Sequence, residues 1–557
     1  MNLIPKINGR IRTGEGALIV TLPLTYQGTC DQPDEFSLQA AGEEAVLTFF
    51  SDEAVPAEGY RLQIDEDGIA LTSSDSAGQY YGLVTLRKLI SESEGKLTCC
   101  LIEDAPRYGW RGLMLDVSRH FFPAAEVKKI LDRMAELKMN RFHWHLSDDQ
   151  GFRIESKRFP KLNEIGSWWI EDDGSKYGGY YTQDEIREVV AYAAKKHIMV
   201  VPEIDLPGHT SAITAAYPEL SCDGKKSEVK RVGGIYPHIL CGADPAVYEF
   251  LYDLLDEVID LFPAKYFHLG GDEAPKSEWK KCEKCQALIR EKGLVDEEGL
   301  QAYFTEQLVS YLAKKGKTAI GWNEILKSGR LGADTWTAPE ELEEAEPAVE
   351  APICQYWAEM GKPYSYPHVA RGQKFIFSNN PCLYLDYLHA MVSMKACLLM
   401  DPNVDWNYEI PEEQVIGIEA PLWAERVPDA VTLEKQIFPR LEAVAENGWT
   451  KERDFDEFLE RVKAYEPVLE GAGTAYTPWQ EADIRGQAGI QQLFAEMQKM
   501  MNAGGMSEAA ANLPDDVKAE IMESGVKFIS GFFRYTFTPE EQAFIGEMMK
   551  NAMGHLS

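Results

Sequence analysis

Two adjacent carboxylates, Asp272 and Glu273, close the run HLGGDE at residues 268–273. The glycine pair before them permits a tight chain exit and close approach by other groups. Carboxylates held together push their pKa values apart, so one can stay protonated near neutrality and act as an acid. The plainer reading of such a pair is a helix N-terminus whose dipole favours acids. Two further runs put chemistry just past apolar stretches: LSDDQG (146–151) supplies Asp148, and EIDLPGH (203–209) supplies Asp205 and His209. A carboxylate beside His209 would set its charge, and the imidazole would then tune Glu273. A histidine taken alone is more often a hydrogen-bonded core residue. The set also permits a metal, but no pair has the HxxxH spacing, so neither metal nor cofactor is expected. Cys282-Glu-Lys-Cys285 is a CxxC without a second half, read as helix surface or a redox-inert pair.

These residues need a frame. From about residue 105, strand-like apolar runs alternate with amphipathic helical segments. The runs are 112–118, 141–148, 199–205, 266–273, 318–324, 352–357, 374–379 and 415–423. Eight nearly continuous apolar strands suit a parallel sheet covered on both faces. Asp148, Asp205, Asp272, Glu273, Trp322, Trp357 and Trp423 all fall at the C-terminal ends of these runs. A closed barrel brings every such end to one mouth, whereas an open sheet gathers only those near its switch point. The expected fold is therefore α/β, a (β/α)8 barrel over residues 105–465. A small α+β domain (1–104), with a hairpin at 60–73 and a helix at 76–93, precedes it without a catalytic cluster. Residues 466–557 read as a Met-rich helical extension, packing on the barrel or on a second subunit of a homodimer. The Glu- and Pro-rich stretch 329–352 reads as a surface insertion.

Composition narrows the partners. The 557 residues carry a net charge of −34, which disfavours nucleic acid and anionic membranes. There is no P-loop and no glycine-rich dinucleotide motif opening a helix. No stretch is long and apolar enough to span a bilayer. The N-terminus lacks signal-peptide patterning, and the ten cysteines are scattered, so a cytoplasmic protein with reduced thiols is expected. Twelve tryptophans are somewhat many, and such rings suit flat apolar sugar faces, although most tryptophans serve the core.

The runs in order resemble the β-N-acetylhexosaminidases of glycoside hydrolase family 20. The resemblance covers roughly 1–465 and rests on 116–155, VPEIDLPGHT (201–210), HLGGDE (268–273), GWNE (321–324), QYW (355–357), YLD (384–386) and EAPLWAE (419–425). It implies an exo-acting enzyme that removes terminal GlcNAc or GalNAc from a glycan with retention. The substrate's acetamido group would serve as nucleophile, an exception to the two-carboxylate scheme. Glu273 would be acid then base. Asp272 would accept the acetamido N–H, and Tyr384 would donate to its oxygen. Trp322, Trp357 and Trp423 would box the ring, Arg119 and Glu425 would hold the 3- and 4-hydroxyls, and Asp386 would lie near the 6-hydroxyl. Asp148, Asp205 and His209 would stand behind Glu273. The segment after YLD lacks a tryptophan found in some family members, which leaves the wall near C4 to C6 and the gluco/galacto choice open. Two other readings are a lacto-N-biosidase-like release of a disaccharide and a non-catalytic glycan-binding protein. The intact acid pair speaks against the latter.

Overall fold

The computed structural model describes residues 2–41, 44–327, 351–358, 365, 368–389, 391–403 and 409–482. Most of the expected insertion at 329–352, and the expected extension beyond residue 482, lie outside the described residues.

Eight parallel strands close into a barrel: Trp110–Asp116, Arg141–His145, Met199–Glu203, Tyr266–His268, Thr318–Trp322, Ile353–Tyr356, Phe375–Phe377 and Val415–Leu422. Each pairs with the next in sequence, and the last closes on the first through Gly417↔Trp110 to Leu422↔Leu115. Each apolar run of the sequence supplies one strand. Amphipathic helices cover the outside, among them Ala124–Glu136, Gln183–Lys195, Pro245–Ile259 and Glu297–Lys314. Their starts are chemically marked. Thr182 and Glu185 form a reciprocal capping box, and Asp244 caps a helix that opens on Pro245. The helical run at 432–449 is two helices, Ala430–Ile437 and Arg440–Trp449, because Pro439 cannot continue the backbone ladder.

Strand alternation sorts the barrel's two faces. In the second strand Phe142 and Trp144 are fully buried, and Trp144 meets Phe262 beneath the helices. His143 and His145 therefore point inward. The lower barrel interior is apolar, built from Trp110, Val201, Ile320, Ile353 and Ile376. Above it the interior turns ionic, with His143, Glu203, His268, Gln355 and Glu419 all buried. Interiors of this fold are ordinarily filled by branched aliphatic residues. Buried charges persist only when paired, and these pair with one another: His143 with Glu203 and Glu419, His268 with Glu203, and the Gln355 amide with Glu419.

The N-terminal part forms a seven-stranded mixed sheet. Its strands run Arg10–Ile19, Lys96–Asp104, Tyr60–Asp65, Gly68–Ser73, Leu47–Ser51, Leu24–Gln27 and Leu38–Ala40 across the sheet, with the helix Ser76–Glu92 against it. It joins the barrel near the strand starts, away from the mouth. There Lys138 and Asp104 form a buried ion pair at 3.1 Å, and the Trp449 indole donates to the same carboxylate. Arg111 pairs with Glu58 at 2.7 Å. No described helix is long and apolar enough to cross a membrane.

Candidate active site

The C-terminal ends of all eight barrel strands deliver a named residue to one mouth. Arg119 follows the first strand, Asp148 the second, Asp205 and His209 the third, and Asp272 and Glu273 the fourth. Trp322 ends the fifth, Trp357 follows the sixth, Tyr384 and Asp386 the seventh, and Trp423 and Glu425 the eighth. Between them lies a cavity of about 220 Å³. Its lining includes both acids, Arg119, His209, Trp357, Tyr384, Asp386, Trp423 and Glu425.

Backbone geometry aims the acids. Glu273 and His209 both sit in the left-handed region, with φ of 47° and 53°, which non-glycine residues adopt at a cost that clusters at functional sites. Gly270, with φ of 65°, has no alternative: a Cβ there would fall 1.9 Å from Asp205 Oδ1. The Gly271 N–H donates to that same oxygen at 3.1 Å. Asp205 thus holds the turn that presents the pair. Gln301 steadies it from outside by donating to the Gly271 carbonyl.

The two acids differ in environment. Glu273 faces the mouth with its side chain 36% exposed, whereas Asp272 is 12% exposed. Burial, reinforced by the charges of Glu324, Glu273 and Glu203, pushes Asp272 up to about 7, with His209 partly opposing. Asp205 is raised well above the ordinary carboxylate range by burial and by Asp272. Burial and the neighbouring Glu425 likewise bring Asp386 to about 7.

A continuous ionic relay runs beneath them. Glu419 contacts His143 at 2.7 Å, His143 contacts Glu203 at 2.9 Å, and Glu203 contacts His145 at 2.5 Å. His145 reaches Asp148 at 2.9 Å, and Asp148 reaches His209 at 3.1 Å. Burial opposes charge on these groups, but the alternation of signs outweighs it. His145 and His209 are held well above the usual imidazole range by their carboxylates, and Glu203 well below the usual carboxylate range by its three histidines. Arg119 joins the relay, with Asp148 at 2.7 Å and Asp116 at 3.2 Å. Its guanidinium lies 4.8 Å over the Trp423 ring.

Aromatic rings build the wall. Trp357 stacks near Tyr384 with centroids 6.3 Å apart and planes at 22°, and Tyr384 meets Trp423 at 6.4 Å. Trp322 is different from the other two tryptophans. It is 1% exposed, does not line the cavity, and donates its indole N–H to Glu203 while supporting Trp423 from 5.6 Å. Tyr387 lines the cavity just after the YLD run and meets Tyr384 at 6.2 Å. The buried Arg440 guanidinium donates to the carbonyls of Leu385, Tyr387 and Val392 and so fixes the loop that carries Tyr384 and Asp386.

Four buried polar atoms around the cavity have no partner among the described residues: Arg119 Nε, His209 Nε2, Asp272 Oδ1 and Asp386 Oδ1. Folded proteins rarely leave such atoms unpaired. Donors and carboxylates converging on a ring-walled cleft match a ligand rich in hydroxyl and amide groups. Sequence reading did not find Glu203, His143, Glu419, Asp116, Glu324, Tyr387 or Arg440. The one available signal was the period-two placement of His143 and His145 in an otherwise apolar strand.

Acid pairs ringed by aromatic side chains at the mouth of a (β/α)8 barrel are equipped for chemistry on glycosidic bonds. The catalytic domain described as "Glycosyl hydrolase family 20, catalytic domain" matches residues 108–452, and "Glycosyl hydrolase family 20, domain 2" matches residues 19–105. The chain belongs to glycosyl hydrolase family 20. A β-hexosaminidase of Porphyromonas gingivalis is 37% identical over 428 residues, 73% of this chain and 52% of that protein, so the chain spans about half the length of this relative. A β-hexosaminidase of Akkermansia muciniphila is 35% identical over 72% of this chain and 82% of its own length. The solved β-N-acetylhexosaminidase from Bacteroides fragilis superposes with a TM-score of 0.74 at 30% identity, covering 86% of this chain and 97% of its own. The exo-β-N-acetylglucosaminidase from Vibrio harveyi in complex with N-acetylglucosamine gives 0.74 at 28% identity, over 86% and 78%.

Proposed function

We infer that the protein is an exo-acting, retaining β-N-acetylhexosaminidase that removes terminal GlcNAc or GalNAc through assistance by the substrate's own acetamido group. The observation that carries this is the division of labour between neighbouring acids: a mouth-facing Glu273 and a buried Asp272 with an unpartnered oxygen, beside Tyr384 and two ring walls. A cavity of about 220 Å³ suits one sugar ring, which favours single-residue over disaccharide release.

Glu273 protonates the glycosidic oxygen as the acetamido oxygen attacks the anomeric carbon from the opposite face. The aglycone leaves as an alcohol and an oxazolinium ion forms. Asp272 accepts the acetamido N–H and offsets the positive charge, while Tyr384 donates to the acetamido oxygen and orients it. Glu273 then removes a proton from water, which opens the ring with net retention. Arg119, Asp386 and Glu425 hold hydroxyl groups, and His209 fixes the acids. A cytoplasmic location belongs to the same proposal, supported by the many thiols buried in the protein, and cell fractionation tests it.

Hydrolysis of an aryl N-acetyl-β-glucosaminide tests the reading. Wild type should turn over rapidly. Glu273→Gln should lose about 10²–10⁴-fold on substrates with poor leaving groups and far less on an activated aryl group. Asp272→Asn should be impaired on both. Equal activity toward substrates with and without the acetamido group would overturn the assisted mechanism, and release of disaccharide would overturn the exo assignment.

A further inference from the structure

We propose that Cys222, Cys241, Cys282 and Cys285 bind one structural Zn²⁺ ion that clamps the loop at 222–241 to the segment following Glu273. The CxxC that looks solitary in sequence acquires its second half in space. Its cysteines do not lie on a helix surface: Cys285 is fully buried, and Cys282 and Cys241 are buried beside it. The sulfurs approach at 3.8 Å (Cys222 to Cys285), 3.7 Å (Cys241 to Cys285) and 4.0 Å (Cys241 to Cys282), and all four lie within 4.8 Å of one another.

Those distances discriminate between chemistries. Disulfide sulfurs stand about 2.0 Å apart. Thiolates around a tetrahedral zinc, with bonds of about 2.3 Å, stand about 3.8 Å apart. Four sulfurs at this spacing, drawn from three separate stretches of chain, surround one ion-sized centre. The donor set is all sulfur and the cluster is mostly buried, which marks a closed structural site rather than a catalytic one with an open position. Cys282 occupies the N-cap position of the helix Glu283–Lys292, and Cys285 lies on that helix's first turn, so one rigid element presents two of the four sulfurs. The other His/Asp/Glu groupings near the barrel axis are accounted for by the ionic relay.

The clamp has a purpose in the fold. Cys222 and Cys241 bracket a long loop closed at its base by the Ser221↔Leu240 bridge. Midway, this loop reaches the mouth: the Lys230 N–H donates to the Asp149 carbonyl, Gln150 donates to the Val232 carbonyl, and Gly233 packs on Glu425 so closely that a Cβ would come within 2.7 Å of it. Cys282 and Cys285 follow the catalytic turn by a few residues, and the buried Trp279 between them and Glu273 donates to the Leu240 carbonyl at 2.9 Å. One ion would therefore tie the wall beside Glu425 to the segment that carries Glu273.

Full-length protein purified without chelator should contain about one zinc per chain by elemental analysis. A mercurial that titrates thiols should release that zinc, and chelation should lower the melting temperature. Protein reloaded with Co²⁺ should show the intense sulfur-to-cobalt charge-transfer bands of a tetrahedral four-thiolate site. The paired substitution Cys282→Ser with Cys285→Ser should abolish zinc and these bands, whereas Cys397→Ser should retain both. If the paired variant does not fold, the cobalt spectrum of wild type decides alone. Absence of zinc with two disulfides by intact mass, four freely alkylated thiols that take up no Co²⁺, or iron in place of zinc would each overturn the proposal. None of these readouts depends on glycosidase activity.

Discussion

His209 Nε2 lies 3.7 Å from Glu273 Oε2 and carries no hydrogen-bond partner of its own, while its Nδ1 is anchored 3.1 Å from Asp148. The separation is too long for a direct hydrogen bond, yet short for a charge in a buried site. Because Asp148 and Asp149 keep the imidazole protonated against the effect of burial, His209 presents a fixed positive charge to both acids. The same nitrogen is 3.8 Å from Asp272. His209 is thus a positioning residue whose charge makes the ionised form of Asp272 less costly.

Replacing it should change the pH profile as well as the rate. His209→Gln is expected to lower kcat by roughly 10–100-fold, the usual range for groups that orient a functional residue, with a smaller change in KM. The acid limb of kcat/KM should move to higher pH, since Asp272 loses the neighbouring positive charge that opposes its upward shift. A rate loss with an unshifted limb would mean that His209 acts only through packing.

Asp272 itself links function to stability. Its pKa lies at about 7 in the folded protein against 3.8 ordinarily, with burial the main cause. The native state therefore binds the proton more tightly than the unfolded chain, and this group's contribution to stability declines as pH rises from about 4 to about 7. The accumulated cost at higher pH is at most about 4 kcal/mol. Asp272→Asn imitates the protonated form. Its stability gain over wild type should grow between pH 5 and 7 and then level off, while its activity collapses. Melting temperatures across that range measure the effect, and a constant difference would contradict it.

Much of this arrangement was legible in sequence because barrels have a simple grammar. Eight apolar runs ending in polar or aromatic residues give eight strands with one decorated mouth, and Asp148, Asp205, His209, Asp272 and Glu273 converge there. What stayed hidden depended on partners distant in the chain. Glu203 opens a run in which Asp205 and His209 are the residues that stand out, and nothing local says that three histidines from two other strands surround it. Trp322 reads as one of three equivalent rings, but its place at the end of an inward-facing strand sends it beneath the cavity. The cysteine cluster needed Cys222 and Cys241, 63 and 41 residues from their contacts, to meet a CxxC.

Arg119 should govern binding more than chemistry. Its guanidinium is buried, paired with Asp148 and Asp116, and laid over Trp423, with Nε unsatisfied at the cavity. A donor to sugar hydroxyls acts on ground and transition states alike, so its loss should appear mainly in KM. Arg119→Ala should reduce kcat/KM by about 10²-fold or more, since truncation also leaves Asp148 without its closest cation. Arg119→Lys should not restore it, because an ammonium cannot match the planar contact with the ring and both carboxylates. Full activity in the lysine variant would remove Arg119 from the binding machinery.

Glu203 carries the load beneath the site, and its removal should unfold the protein more readily than any change at the mouth. It accepts from the Trp322 indole and contacts His143 and His145 at 2.9 and 2.5 Å. Glu203→Gln keeps the shape but leaves two charged imidazoles in a buried interior with less compensation, a change expected to cost roughly 3–5 kcal/mol near neutrality. The pH dependence separates this from lost packing. Burial opposes charge on His143, but Glu419 and Glu203 raise it from 6.5 to about 9. A raised histidine contributes stability that is complete below its unfolded value and disappears as pH climbs through the folded one. Wild type should therefore lose stability between pH 6.5 and 9, by about 3 kcal/mol from this group. In Glu203→Gln the remaining partner Glu419 sustains a smaller shift, so the alkaline slope should flatten as overall stability falls. Urea unfolding at pH 6, 7.5 and 9 reads both quantities, and an unchanged slope in the variant would show that His143 takes its charge from Glu419 alone.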